Sequence, residues 1–291
     1  MLSKIKELAD NSKTIKLGRE NVEDISLAKE LALFILLYLV LFIFQVLSQT
    51  AVFILLPDTD SPLSVLSILF TFPIIIILVY IYLTKIEHRD FRSIGLWKDN
   101  CISSTLKGFL IGLVIFTLIV VIGVILGQYR FDGFDLSSAV YIIPFLIGLT
   151  IQSFSEEIYS RGWAMTYFTK RHSIYVALIV NCLIFALPHM TNNGVDVLSI
   201  VNVALSGFML GVMFLRFDNL WICGGLHTAW NFSQGVLYGF KVSGAQVPSI
   251  LNFSQVGHNI INGGAFGPES GLISTFVVVV VIIIAVYYKN S

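Results

Sequence analysis

Six residues with chemically active side chains sit in apolar surroundings near the middle and end of a 291-residue chain. They fall in three groups. Glu156, Glu157 and Arg161 lie in Ser155-Glu156-Glu157-Ile158-Tyr159-Ser160-Arg161. His189 closes Phe185-Ala186-Leu187-Pro188-His189, and His227 and Asn231 frame His227-Thr228-Ala229-Trp230-Asn231. Ionisable side chains within an apolar span are expensive and usually mark function. On a helix turning about 100° per residue, Glu157 and Arg161 share a face at the i, i+4 ion-pair spacing, and Glu156 points about 100° away, free for another task. His227 and Asn231 have the same spacing, as do Phe185 and His189. Pro188 lacks an amide donor and is expected to disturb its helix just before His189, aiming the imidazole inward. The set offers a base, a polarising imidazole and an amide donor, the groups needed for attack of water on a carbonyl. The plainer alternative is a set of polar residues that satisfy one another and pin helix packing. A zinc version is open as well: Glu156, His189 and His227 would leave a fourth position for water. No His-Glu-x2-His pattern accompanies them, which leans against a permanent zinc.

The elements that must hold these residues are legible in composition. Hydrophobic residues make up 56 % of the chain and charged residues 12 %, against roughly 25 % charged in soluble domains. A soluble globular protein, a disordered chain and a nucleic-acid binder are excluded. The three cysteines, Cys101, Cys182 and Cys223, are scattered and suggest no disulfide framework. Apolar runs near the roughly 20 residues a helix needs to span lie at 31–56, 62–84, 108–127, 139–168, 174–190, 197–215, 220–240 and 272–288. The expected fold is an all-α membrane protein with eight transmembrane helices in one bundle. A polar segment, 1–30, precedes a transmembrane domain, 31–291, whose motif-bearing helices occupy about 139–240. The first 30 residues do not read as a signal peptide. Residues 2–9 form either a short interfacial helix or a loose tail. GxxxG spacings at Gly108/Gly112, Gly123/Gly127, Gly207/Gly211 and Gly235/Gly239 read as close helix packing. His88, His172 and His258 fall in loops and read as solvated.

Orientation follows from the basic residues, which favour the cytoplasmic side. Lys4, Lys6, Lys13, Lys16, Arg19, Lys29, Lys85, Arg89, Arg92, Lys98, Lys107, Arg161, Lys170, Arg171, Arg216 and Lys289 fall on one side of an eight-span chain. Arg130 and Lys241 alone fall on the other. Both termini are therefore expected in the cytoplasm. The segment 241–271 is an external stretch rich in Gly, Ser and Asn, read as a plain loop, with a re-entrant cover as the alternative.

The order Glu156-Glu157-x3-Arg161, Phe185-x3-His189, His227-x3-Asn231, each on its own span, resembles the CAAX protease and bacteriocin-processing (CPBP) family of intramembrane endopeptidases, which includes Abi-type bacterial proteins. The resemblance covers about 139–240. It implies a peptide-bond hydrolase with a chamber inside the membrane of a multi-pass cell-membrane protein. It further implies that Glu156 activates water and that His189, His227 and Asn231 complete the site, with Glu157 and Arg161 beside them. The implied partners are the lipid bilayer and a membrane-associated peptide or protein. A non-catalytic regulator or immunity-type protein that binds a membrane partner is the second reading, and a small proton-coupled transporter the third. Reporter fusions after residues 60, 100, 133 and 173 are expected to alternate outside, inside, outside, inside. A cytoplasmic signal at 133 would contradict the topology.

Overall fold

A computed structural model of the protein describes residues 1–20, 25–58 and 61–288. Lys289, which entered the orientation reading, lies outside them. The chain is mostly helical. Two short helices, α1 (Leu2–Asn11) and α2 (Lys13–Gly18), open it. Six helices long and apolar enough to cross a membrane follow: α3 (Leu27–Leu55), α4 (Pro62–Ile86), α5 (Cys101–Ile125), α6 (Leu136–Phe168), α7 (Ile174–Thr191) and α8 (Val197–Phe217). Next come α9 (Leu220–Phe232), which continues as a π-helical turn over Ser233–Leu237, and α10 (Leu272–Tyr287). The expected eight apolar runs are thus all helical, yet two differ from the rest. α10 has only 16 residues. α9 is interrupted by polar residues and is buried from Leu220 to Asn231 almost without a break, so it has little need of a lipid-facing surface. The other helices show lipid-compatible faces outward, with Leu36, Leu47, Ile54, Leu110, Ile143, Ile179 and Phe276 exposed.

The mostly helical chain also carries a two-stranded ribbon, which the all-α expectation does not include. Strands β1 (Tyr129–Phe134) and β2 (Leu251–Gln255) pair antiparallel, with Phe131 opposite Phe253 and a bulge between Phe131 and Gly133. The ribbon ties the segment after α5 to the long segment after α9, so 241–271 is more than a plain loop. Phe131 and Phe253 pack across it at 5.2 Å between ring centroids, the cross-strand contact that stabilises such pairs.

At the other end of the bundle the N-terminal segment is docked. Ile5 and Ala9 of α1 are buried. Asp218, in the left-handed turn between α8 and α9, accepts from Ser12 Oγ at 2.5 Å, Lys13 N at 2.8 Å and Thr14 N at 3.1 Å, satisfying amides that α2 leaves unpaired. His172, expected in solvent, instead contacts Glu30 at 3.0 Å. Glu30 is 1 % exposed, and a carboxylate so placed needs a partner.

The decisive packing lies between α5 and α9. A Cβ on Gly108 would stand 2.1 Å from the Ile222 carbonyl oxygen, and one on Gly112 would stand 2.3 Å from that of Leu226. From the other side, a Cβ on Gly225 would stand 2.1 Å from the Thr105 oxygen. Backbone meets backbone here, as small residues permit in membranes. Replacing Gly112 with Leu should cost about 1–3 kcal/mol or more through overpacking. It is expected to lower the melting temperature in detergent; an unchanged melting temperature would mean that the two helices stand apart.

Candidate active site

α6 brings the first motif to the bundle interior and changes winding there. It is α-helical from Ile142 to Glu157 and π-helical over Ile158–Met165. α9 makes the same change just after Asn231, at Ser233. Such wide turns recur at functional positions in helices.

Glu157 lies at the centre. It is fully buried, as is Arg161. Glu157 Oε1 accepts from Arg161 Nη1 at 2.9 Å and contacts His227 Nδ1 at 2.9 Å. Arg161 Nη2 donates to the Gly207 oxygen on α8 at 3.3 Å, and Asn181 Nδ2 on α7 donates to the same oxygen at 2.9 Å. The guanidinium carbon sits 4.0 Å from the centroid of the Phe185 ring, within range of a cation–π contact. Phe185 in turn packs against His189 at 5.4 Å and His227 at 5.7 Å between centroids. The phenylalanine of Phe185-x3-His189 is therefore in contact with the guanidinium and with both imidazoles.

Helix geometry separates the two adjacent glutamates, leaving Glu157 to Arg161 and Glu156 free for another task; in the structure one imidazole from another helix approaches both. The His227 imidazole lies between the two carboxylates: its Nδ1 meets Glu157, and its Nε2 faces Glu156 Oε2 at 3.8 Å. A single ring approaching from α9 spans the arc between two long side chains that diverge along α6. One turn before Glu156, Gln152 Nε2 donates to Glu156 Oε1 at 2.7 Å. Asn231 Nδ2 donates to Gln152 Oε1 at 3.1 Å, so Asn231 reaches Glu156 only through this amide. Glu156 Oε2 is buried and accepts no hydrogen bond among the described residues.

His189 stands on a different wall. It follows the change from α-helix to 3-10 helix at Leu187 and is partly exposed. Its Nδ1 lies 2.8 Å from the Phe185 carbonyl oxygen. A carbonyl only accepts, so Nδ1 carries the hydrogen and Nε2 is the open nitrogen.

A cavity of about 40 Å³ is lined by Gln152, His189, His227, Asn231, Ser243 and Glu269 among others. It has room for water. Glu156 and Glu157 are not part of this lining but contact His227, which is. Ser243 and Glu269 come from the 241–271 segment and were not singled out in the sequence, nor was Gln152. Gln152 did leave a sign, as a polar residue one turn before Glu156 in an apolar run. Glu269, after Gly267-Pro268, left none. Ser243 donates to Glu269 Oε1 from its amide at 2.6 Å and its hydroxyl at 2.9 Å. Burial pushes the Glu269 carboxyl upward, while the Ser243 donors and nearby His189 oppose the shift.

Among the described residues no three His, Cys, Asp or Glu side chains converge to hold a metal ion. A zinc ion held by Glu156, His189 and His227 would need the three closer together than they stand here.

Residues 138–233 match the family Type II CAAX prenyl endopeptidase Rce1-like. The motif-bearing segment is thus similar to the CAAX endopeptidases. All six motif residues fall inside the matched segment, whereas Ser243 and Glu269 fall beyond it. Among curated proteins nothing matches the chain. The six apolar helices describe a multi-pass membrane protein, and the likeness to the CAAX endopeptidases is confined to residues 138–233.

Removing one partner of a buried ion pair typically costs 3–5 kcal/mol. Glu157→Ala is therefore expected to lower the yield and the melting temperature of the folded protein in detergent, whereas Glu156→Gln, which keeps the Gln152 contact, is expected to fold normally. The reverse order would assign the structural role to Glu156.

Proposed function

We propose that the protein is an intramembrane endopeptidase that hydrolyses a peptide bond of a membrane-associated peptide or protein. The observation that carries this reading is the approach of His227 Nε2 to within 3.8 Å of Glu156 Oε2, a buried oxygen with no hydrogen-bond partner among the described residues, where His227 lines a cavity large enough for water. In the proposed reactive state Glu157, charge-balanced by Arg161, accepts a hydrogen bond from His227 Nδ1, and Nε2 keeps its lone pair. A carboxylate oxygen and an imidazole lone pair facing each other require a shared donor. A water placed between them donates one O–H to each and keeps its lone pairs for a carbonyl carbon.

In the proposed reaction the water oxygen bonds to the carbonyl carbon while its proton passes to Glu156. The carbonyl oxygen becomes an oxyanion. Asn231 Nδ2 has two hydrogens, one held by Gln152 Oε1, so the other is free to donate to that oxyanion. When the C–N bond breaks, Glu156 returns its proton to the leaving nitrogen. Glu157 and Arg161 touch no reacting atom in this scheme; they fix the tautomer and position of His227. His189 closes the wall beside the substrate. No step passes through a metal.

The same reading places eight spans in the cell membrane, both termini in the cytoplasm, and the motif helices of about 139–240 within a single transmembrane domain, 31–291. Its support is the distribution of Lys and Arg along the sequence. The partners it implies are the bilayer and a peptide or protein substrate.

Loss of a general base lowers rate on the order of 10²–10⁴-fold. Glu156→Gln is expected to fold and to cleave a membrane peptide that much more slowly, and the peptides released from membranes by the wild type should disappear. A well-folded Glu156→Gln that keeps its full cellular effect would instead support a non-catalytic membrane regulator.

A further inference from the structure

Of three carboxylates in this region, Glu269 lines the chamber and Glu156 and Glu157 contact His227, which also lines it, against one guanidinium, Arg161. That guanidinium is committed to Glu157. Glu269 belongs to a different part of the chain, the 3-10 turn Pro268–Ser270 that leads into α10. Among the described residues no lysine or arginine forms an ion pair with it.

Its position is fixed. Ser243 holds Oε1 with two donors. The Ser270 hydroxyl donates to the Gly263 oxygen at 2.6 Å and to the Gly267 oxygen at 2.9 Å, pinning the turn. Gly244 beside the clamp packs so tightly that a Cβ there would stand 2.1 Å from the Asn193 oxygen, and its amide donates to the Phe266 oxygen at 2.8 Å. A carboxylate on a chamber wall without a counter-charge is costly to keep. The same carboxylate is a strong acceptor for any cation that enters, since hydrogen bonds to charged groups are the stronger ones.

We propose that Glu269 makes the chamber selective for a positively charged peptide segment, a Lys or Arg side chain or a free ammonium close to the scissile bond. This selectivity rests on the endopeptidase reading above and adds a substrate class to it. An apolar segment in the same place leaves Glu269 unpaired, so the two kinds of substrate differ in how well they are held. His189, on the same wall, and the Gln234 side chain are the competing internal partners; if they satisfy Glu269, the substrate charge makes no difference.

The test uses apolar helical peptides in which a single lysine, or norleucine in its place, is moved along the chain. Cleavage by the full-length protein in detergent gives kcat/KM for each, and competition binding to the Glu156→Gln protein gives affinity without turnover. The lysine peptide is expected to be preferred on the order of tenfold at one or two positions, the range of a hydrogen bond to a charged group. That preference should vanish in Glu269→Gln and shrink in Glu269→Asp and Ser243→Ala, which shorten or release the carboxylate. If Glu269→Gln does not fold, the last two variants decide. No lysine preference at any position in the wild type, or a preference that survives these replacements, overturns the proposal. Lysine-selective binding with no cleavage of any peptide would overturn the endopeptidase reading and leave the cation site standing.

Discussion

One buried carboxylate organises the bundle. Glu157 has no exposed surface, and an ion in that position survives only if its neighbours satisfy it. Its oxygen is shared by Arg161 and His227, so it ties α6 to α9. Through Arg161 the tie extends to the Gly207 oxygen of α8 and to the Phe185 ring of α7. Four helices thus meet at a single ion pair. The same contact determines which nitrogen of His227 carries the hydrogen. Electrostatic necessity in the interior and the state of an imidazole at the chamber wall are consequences of one geometry.

Around this centre, polar groups form a short relay rather than a cluster. Gln152 stands between Glu156 and Asn231 and orients both, accepting from one and donating to the other. Asn181 shares the Gly207 oxygen with Arg161 and keeps α7 in register with α8. The π-helical turns after Glu157 and after Asn231 lie where α6 and α9 pass this relay. Fixing side chains through a supporting layer of this kind is what chemistry at a buried site requires.

Much of this was legible in the sequence, and the omissions have physical causes. The i, i+4 spacing of Glu157 and Arg161 is local to one helix, and the ion pair follows from it. The Gly108/Gly112 spacing likewise announces close backbone contact. The apolar runs locate the helices because a bilayer demands length, but α9 shows that a segment buried within protein escapes that demand. What stayed hidden depends on contacts between elements. The bracketing of His227 by two adjacent glutamates needs the direction of approach of α9, which no helical wheel of α6 contains. Glu269 sits 38 residues beyond Asn231 in a stretch without periodicity, and only the pairing of β1 with β2 and the Ser243 clamp bring that stretch back to the chamber. Docking of the N-terminal helices was undecidable for the same reason, since Asp218 caps α2 from the far side of the sequence.

The contact between α5 and α9 has a mechanical consequence. Gly108, Gly112 and Gly225 place bare α-carbons against carbonyl oxygens of the opposite helix. Sliding either helix along the other would drive a bulkier residue into that seam. The pair therefore behaves as a stator, and His227 and Asn231 ride on it. The cavity, at about 40 Å³, has room for water. Across it from His227 and Asn231 stand the turn that bears His189 and the strap that bears Ser243 and Glu269. The wall carried by α9 is thus held by main chain pressed on main chain, whereas the wall facing it is held by side-chain hydrogen bonds such as those from Ser243 to Glu269.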